Sequence, residues 1–555
     1  MGVGSPIVRS RRRRVYALVL AIFFAAIPSW SVRAEDAGLE AALAGLASRD
    51  FREKGAAVAA IAESEDPSVS RILEALLDAR LFVRAADARI VGAEGEGDDV
   101  AYFDAATGLA IDAADAAGLK KIIVNNRMRT DLRTTLARLR LASPDAEVRE
   151  IAAKSMMADR SPRTLELLRE AFSKERDAGV RETLRVALAL SELESDDPEL
   201  QLGAVGELAG SLHGEVRNAL AALIERSQGD PAEQGEAVRA VRAAAEAAIA
   251  SIDRKRSGLA LVETLFFGLS LGFVLVLAAI GLAITFGVMG VINMAHGELM
   301  MLGAYTTWGV QQLMPDAIDA SIFVAIPCAF LVSGAVGVVI ERGVVQFLYG
   351  RPLETLLATF GISLILQQAV RTLFSPLNRA VETPGWMSGQ WVVNDALSLT
   401  YNRLFIVAFS IAVFAALVGL LHATGLGLQI RAVAQNRDMA RAMGVRGSRI
   451  DAVTFGLGSG VAGLAGVALS QLTNVGPNLG QAHIVDSFMV VVFGGVGNLW
   501  GTLVAGLGLG IANKFLEPFA GAVLAKIVVL VFIILFIQRR PRGLFPQKGR
   551  SAGVT

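Results

Sequence analysis

The chain has 555 residues, 53% of them hydrophobic and 19% charged, an average too apolar for one soluble globule and too charged for an unbroken set of membrane spans, so two unlike parts are joined. Lys plus Arg and Asp plus Glu number 53 each, and the formal net charge of +0 provides no global field to draw the chain to nucleic acid or acidic partners. Its single cysteine, Cys328 inside an apolar run, excludes an intrachain disulfide and a cysteine-based metal site, and reads as a small buried apolar residue.

At the start, Arg9 and Arg11 to Arg14 precede the apolar stretch Val15 to Trp30 and then Val32-Arg33-Ala34, an order that predicts a signal peptide over residues 1–34. From Ala37 to about Arg80 apolar residues fall at helical spacing, as in Leu39, Leu43 and Leu46, then Ile72 and Leu76. Between Leu81 and Ile123, the runs Phe82-Val83, Arg89-Ile90-Val91 and Val100-Ala101-Tyr102-Phe103 alternate with glycine-rich and acidic turns, which predicts a small strand-containing insert. Helical pattern then returns with a repeat. Glu147-Val148-Arg149, Gly179-Val180-Arg181 and Glu215-Val216-Arg217 recur about every 32 to 36 residues, with Pro144, Pro162 and Pro198 between helices. The pattern resembles HEAT-like repeats, with an irregular helical bundle as the alternative, and residues 35–256 are expected to form an exported helical domain. No catalytic constellation stands out around His213.

The remainder is expected to be an all-α polytopic helix bundle over residues 257–545, followed by a cytoplasmic tail at 546–555. Runs of about 20 apolar residues are long enough to cross a bilayer, and they lie near 262–288, 293–312, 320–340, 353–374, 402–422, 452–473 and 515–537. Arginines decide the orientation: Arg342, Arg351, the group Arg431, Arg437, Arg441, Arg446 and Arg449, and Arg539-Arg540 belong inside, which puts residues 35–256 outside. An even number of crossings must then separate Arg449 from Arg539. The apolar stretch 487–513, interrupted by Phe493-Gly494-Gly495-Val496-Gly497-Asn498, is therefore expected to be a pair of half-helices that enters and leaves on the outer side, against the translocation path.

Between Gly425 and Asp451 lies a basic insert in which Gln435 to Met443 can form two helical turns, Ala440 supplies a small surface and Gly444 can end the helix left-handed. This segment is similar to the cytoplasmic coupling loop of ABC importer permeases. Gly290-Val-Ile-Asn-Met-Ala-His-Gly-Glu-Leu-Met-Met-Leu-Gly-Ala-Tyr305 resembles the entry motif of the branched-chain amino acid permease family. Further matches are Arg351-Pro352 with Ala358-Thr359-Phe360-Gly361, Phe493-Gly494-Gly495, and Arg540-Pro541-Arg542-Gly543-Leu544-Phe545. Within that family, a long exported domain carrying Ile123-Val124-Asn125-Asn126-Arg127 resembles the urea-transport branch.

The resemblance implies a transporter subunit with no catalytic residue, metal or cofactor of its own, working with a second homologous permease, two cytoplasmic ATPase subunits that bind ATP, a periplasmic substrate-binding protein, membrane lipid and no nucleic acid. The chain carries no Gly-x-x-x-x-Gly-Lys-Ser/Thr phosphate loop, in keeping with ATP binding elsewhere. Urea, a small neutral polar solute, needs matched donors and acceptors. Asn293, His296, Glu298, Thr359, Gln367, Gln368, Gly494, Gly495 and Asn498 are expected along its path, with helix-tying as the competing role for His296 and Glu298. His483 reads as an interface residue. Arg431, Gln435, Asp438, Ala440 and Gly444 are expected to meet the ATPase. The alternatives are the same machine carrying branched-chain amino acids or short amides, and a membrane-anchored scaffold or sensor.

Overall fold

A computed structural model describes residues 36–545 except 49, 65, 67, 85–86, 95–100, 112–118, 158–160 and 228–234. The expected signal peptide and cytoplasmic tail lie outside the described residues. Contacts divide the chain into two compact units, Met1–Ser251 and Ile252–Thr555.

In the first unit, α1 (Asp36–Gly45), α2 (Phe51–Glu63), α3 (Val69–Leu77) and α4 (Asn126–Leu141) enclose a core of Leu39, Leu43, Ile61, Ile72, Leu76 and Leu132. Between them stands a five-stranded antiparallel sheet of order β4-β3-β2-β1-β5, built from β1 (Leu81–Arg84), β2 (Ile90–Glu94), β3 (Ala101–Asp104), β4 (Ala110–Ile111) and β5 (Leu119–Lys121). The strand-containing insert is thus present. The Asn125-Asn126 pair has a local explanation, because the Asn125 side chain caps α4 by accepting from the Met128 backbone N–H at 2.8 Å.

Helices α5 (Ala146–Met156), α6 (Pro162–Lys174), α7 (Ala178–Glu192), α8 (Pro198–Leu208) and α9 (Gly214–Arg226) follow. The recurring Val-Arg motif opens every second one: α5, α7 and α9. Asp145, Asp177 and Asp197 cap α5, α7 and α8, while Pro162 and Pro198 sit in first turns, where the missing N–H costs nothing. Arg149 grips Glu175 in a two-pronged ion pair at 2.8 and 3.0 Å. That hydrogen-bonded guanidinium holds the Glu175 carboxyl down to about 2.

The division point falls within α10 (Glu236–Met289). The second unit continues with α11 (His296–Leu313), α12 (Ile318–Gly343), α13 (Pro352–Phe374), a hairpin of β6 (Gln390–Asn394) and β7 (Leu397–Thr400), α14 (Tyr401–Ala423), α15 (Gly425–Gln435), α16 (Arg437–Ala442), α17 (Gly447–Ser470), α18 (Leu479–Gly494) and α19 (Leu499–Arg539). Among the described residues, six helical stretches are long and apolar enough to span a membrane: α10, α12 with its flanking turns, α13, α14, α17 and α19. Their burial separates them. The apolar windows of α10 and α17 are 89% and 83% buried and form the centre, whereas those of α13 and α14 are 28% buried and that of α19 17%.

Glycine permits that centre to be dense, as expected where interior and lipid are equally apolar and close backbone approach drives helix association. A side chain at Gly303 of α11 would overlap the Gly463 backbone of α17, and one at Gly466 would overlap the Met300 carbonyl. The starts of α11 and α18 also abut, since a β-carbon on Gly297 would stand 2.5 Å from the Gly480 carbonyl oxygen.

The expected broken element differs from what the structure contains. Helix α18 ends at Gly494, Gly495 (φ +104) and Gly497 (φ +78) turn the chain, and α19 starts after the cap Asn498. Straight, the 41 residues of α19 would extend about 60 Å at the α-helical rise. Yet both of its ends meet the turn: Gly501 packs on Gly494, while Leu544 and Phe545 donate backbone hydrogen bonds to the Phe493 and Gly494 carbonyls at 2.9 and 3.1 Å. The helix therefore folds back at Gly521 (φ 74, ψ 162), a conformation essentially reserved for glycine. Two limbs, 499–520 and 522–539, replace the single span expected at 515–537. With α17 and α18 they make four helical segments between Arg449 and Arg539, an even number, so the parity argument no longer calls for half-helices entering from the outer side. The glycine break lies at the arginine-bearing end of the bundle.

Candidate functional site

The polar centre of the second unit is assembled from three elements. Helix α13 buries Thr355, Thr359, Ser363 and Gln367, spaced four apart on one face, and leaves Leu353, Leu357, Leu364 and Ile365 exposed on the other. The polar stripe faces the irregular segment 290–295 and the first turn of α11. Thr359 Oγ accepts from the Met294 N–H at 3.1 Å, and the Ser363 hydroxyl donates to Glu298 Oε1 at 3.1 Å. Gln367 Nε2 donates to the Pro477 carbonyl at 3.3 Å and to Asn478 Oδ1 at 3.2 Å, which also takes a hydrogen bond from Arg371 at 2.7 Å. The approach to α18 thereby closes the third side.

Three buried groups here keep a polar atom without a partner among the described residues. Asn293 Oδ1 accepts from the Ala295 N–H at 3.0 Å, leaving Nδ2 unused. His296 Nε2 lies 2.8 Å from the Ala278 carbonyl, so that nitrogen carries the proton and Nδ1 is left an unpartnered acceptor. Glu298 Oε2 is likewise unpartnered. Asn293, His296 and Glu298 are 0%, 0% and 1% exposed, where an unmade hydrogen bond costs about 1–3 kcal/mol. Ala278 lies about 16 Å short of the Met289 end of α10 by helical rise, which places the cluster well inside the bundle.

Of the residues expected along the path, Glu298, Thr359 and Gln367 meet at the α13 stripe, with Asn293 in the segment that the stripe faces, whereas His296, two residues before Glu298 and so about 200° round α11, turns to α10 instead. Gln368 does not join them: adjacent helical residues point about 100° apart, which turns it out of the buried stripe to an exposed position. Gly494, Gly495 and Asn498 lie elsewhere too, packed at the arginine-bearing end against residues 542–545, with Asn498 Nδ2 donating to the Phe545 carbonyl at 3.3 Å. Ser363 and Asn478 were not foreseen; the four-residue spacing of Thr355, Thr359, Ser363 and Gln367 was the signal that could have found the first.

A second cluster surrounds α15 and α16. Asn436 caps α16 through the Met439 N–H at 3.0 Å, and Gly444 (φ +85) ends it left-handed as the sequence suggested. Ala440, expected to present a small surface to a partner, is 5% exposed and packs inward. The outward face instead offers Met439 and Met443, 61% and 79% exposed, beside Asp438 and Arg441. Gln435 is exposed, while Arg431 is tied to the Leu421 carbonyl. A cavity of about 280 Å³ between the end of α10, α15 and the glycine turn is lined in part by Gly287, Arg431, Gly497, Asn498 and Trp500. Arg437, counted in the sequence only as an orientation signal, makes a bidentate ion pair with Asp451, both distances 2.7 Å.

Comparison with known proteins bears on this arrangement. The family model described as branched-chain amino acid transport system / permease component matches residues 264–537. The high-affinity branched-chain amino acid transport system permease protein LivH of Salmonella typhimurium is 30% identical over 51% of this chain and 94% of its own length. BraD of Pseudomonas aeruginosa, of the same description, is 30% identical over 51% and 95%. The ribose import permease protein RbsC of Escherichia coli is 25% identical over 44% and 75%. No solved structure matches the chain. Its relatives are permease components of transport systems, not enzymes, and on the match to the family model and to LivH this chain belongs to the family of branched-chain amino acid transport permeases.

Proposed function

We propose that the chain is the multi-pass inner-membrane permease subunit of an ATP-driven importer whose solute is urea. The carrying observation is the set of unpartnered buried atoms at the start of α11. Asn293 Nδ2 offers a donor and Glu298 Oε2 an acceptor, and the Thr359, Ser363 and Gln367 stripe lies beside them. Urea carries N–H donors and one carbonyl acceptor with no net charge, so this mixture suits it without a countercharge. The resemblance of the N-terminal domain to the urea branch supports the same solute. A second reading, branched-chain amino acids, is favoured by the names of LivH and BraD.

In this reading residues 35–256 form a HEAT-like periplasmic domain. The segment 425–449 and the C-terminus face the cytoplasm, where two ATPase subunits hydrolyse ATP. A homologous permease pairs with this chain, and a periplasmic binding protein delivers solute. Met439 and Met443 are the apolar anchors for the ATPase, since flexible thioethers adapt to a partner groove. Uptake of radiolabelled urea in a strain lacking the gene, with and without its restoration, tests the solute. Accumulation restored and unaffected by excess leucine is expected; restored leucine uptake with no urea uptake overturns the urea reading. Met439→Glu and Met443→Glu should release the ATPases from the purified complex, and undiminished binding would remove the docking assignment.

A further inference from the structure

We infer that Arg437 and Asp451 are the positioning pair through which movement of α16 reaches the buried polar cluster; this rests on reading α15–α16 as the ATPase-facing segment. Arg437 is the first residue of α16, and its guanidinium meets both Asp451 oxygens, fork to fork. Asp451 sits in the first turns of α17 with its side chain 1% exposed, whereas that of Arg437 is 26% exposed and stays in reach of the surface. A carboxylate so buried cannot be parted from the guanidinium that pairs with it without a large loss, so displacement of α16 carries α17 with it. The planar guanidinium also lies 4.9 Å from the Tyr349 ring centroid, and the Tyr349 hydroxyl donates to Glu341 Oε1 at 3.0 Å near the end of α12. One surface arginine thus engages α17 directly and α12 through Tyr349.

The second half of the route is steric. Where α17 meets α11, Gly463 opposes Gly303 and Gly466 opposes the Met300 carbonyl, with no side chain between backbones to absorb a shift. Ser333 of α12 donates to the Leu299 carbonyl at 3.0 Å, so α12 reaches the same turn of α11. That turn follows Glu298 in the chain. Packed backbones of this kind move as units between discrete arrangements. Lysine in place of Arg437 keeps the charge but loses the fork and the stacked plane, which makes it the informative substitution.

The complex with its partner ATPases, reconstituted in liposomes, is the system to test. The readout is solute accumulated per ATP hydrolysed, using radiolabelled urea, or radiolabelled leucine if that is what the wild type moves. Arg437→Lys and Asp451→Asn should retain the ATPases yet lower this ratio by about tenfold, and Tyr349→Phe, which keeps the ring, by about two- to threefold. A merely structural pair would reduce the amount of complex and leave the ratio unchanged; that result overturns the proposal, as does loss of ATPase binding in Arg437→Lys. If Asp451→Asn fails to insert, the milder Arg437→Lys decides alone. Failure of the underlying docking reading registers separately, in the ATPase binding of Met439→Glu and Met443→Glu.

Discussion

Glu298→Gln is the sharpest perturbation of the polar cluster. The side chain keeps its shape, and its remaining oxygen can still take the Ser363 hydroxyl now 3.1 Å from Oε1. At the position of the unpartnered Oε2, however, an acceptor becomes a donor. Leaving a buried polar group without its partner costs about 1–3 kcal/mol. At roughly 1.4 kcal/mol per factor of ten, uptake at limiting solute should fall roughly 5- to 150-fold. Ser363→Ala removes one neutral hydrogen bond and leaves the Glu298 carboxyl group in place, so about 0.5–1.5 kcal/mol, or roughly 2- to 10-fold, is expected. Gln368→Ala, on the exposed face of α13, should stay within about twofold of wild type. Initial uptake rates, divided by the amount of complex in the membrane, give the comparison. Glu298→Gln within about twofold of wild type, with Gln368→Ala lower, would refute the placement of the solute at the start of α11.

Three further outcomes follow from the packing and electrostatics. Gly303→Val forces a side chain into the Gly463 backbone and should cost about 1–3 kcal/mol, seen as a lower midpoint of thermal unfolding in detergent; an unchanged midpoint contradicts the close approach. Because the folded Glu175 value, about 2, lies below the ordinary 4.5, its pairing with Arg149 stabilises fully above the ordinary value, and that contribution is lost as pH falls from 4.5 toward 2. Amide exchange in α5 and α6 should therefore speed up across that window in wild type and less in Glu175→Gln; identical profiles would dissociate the pair from stability. Asn498→Ala removes the α19 cap, whose Oδ1 accepts from the Gly501 N–H at 3.1 Å, at about 0.5–2 kcal/mol, and should hasten exchange at residues 499–502, with no change counting against the capping role.

Much of the bundle was readable because long apolar runs have few alternatives. What escaped was phase and depth. Gln367 and Gln368 look equivalent in the sequence because a membrane helix is apolar toward lipid and interior alike, so only tertiary packing chooses which amide is buried. Ala440 was assigned to the wrong face because α16, six residues long, offers too little periodicity to fix one. The glycine run at 493–498 announced a break, but its depth is set by residues 544–545, far along the chain. Pro518 and Gly521 were the faint sign of the reversal in α19. Counting arginines for orientation treated Arg437 as one of many, which hid its partnership with Asp451.

The seam in which Leu544 and Phe545 donate to the carbonyls of Phe493 and Gly494 also has a temporal meaning. A helix ends with carbonyls that no later residue of its own can satisfy. Those of α18 wait for amides made some fifty codons afterwards, roughly several seconds at ordinary translation speed. Until then the nascent chain keeps an open joint beside the 495–498 turn. Closure of that joint therefore comes late in the assembly of the bundle, after both limbs of α19 have been made.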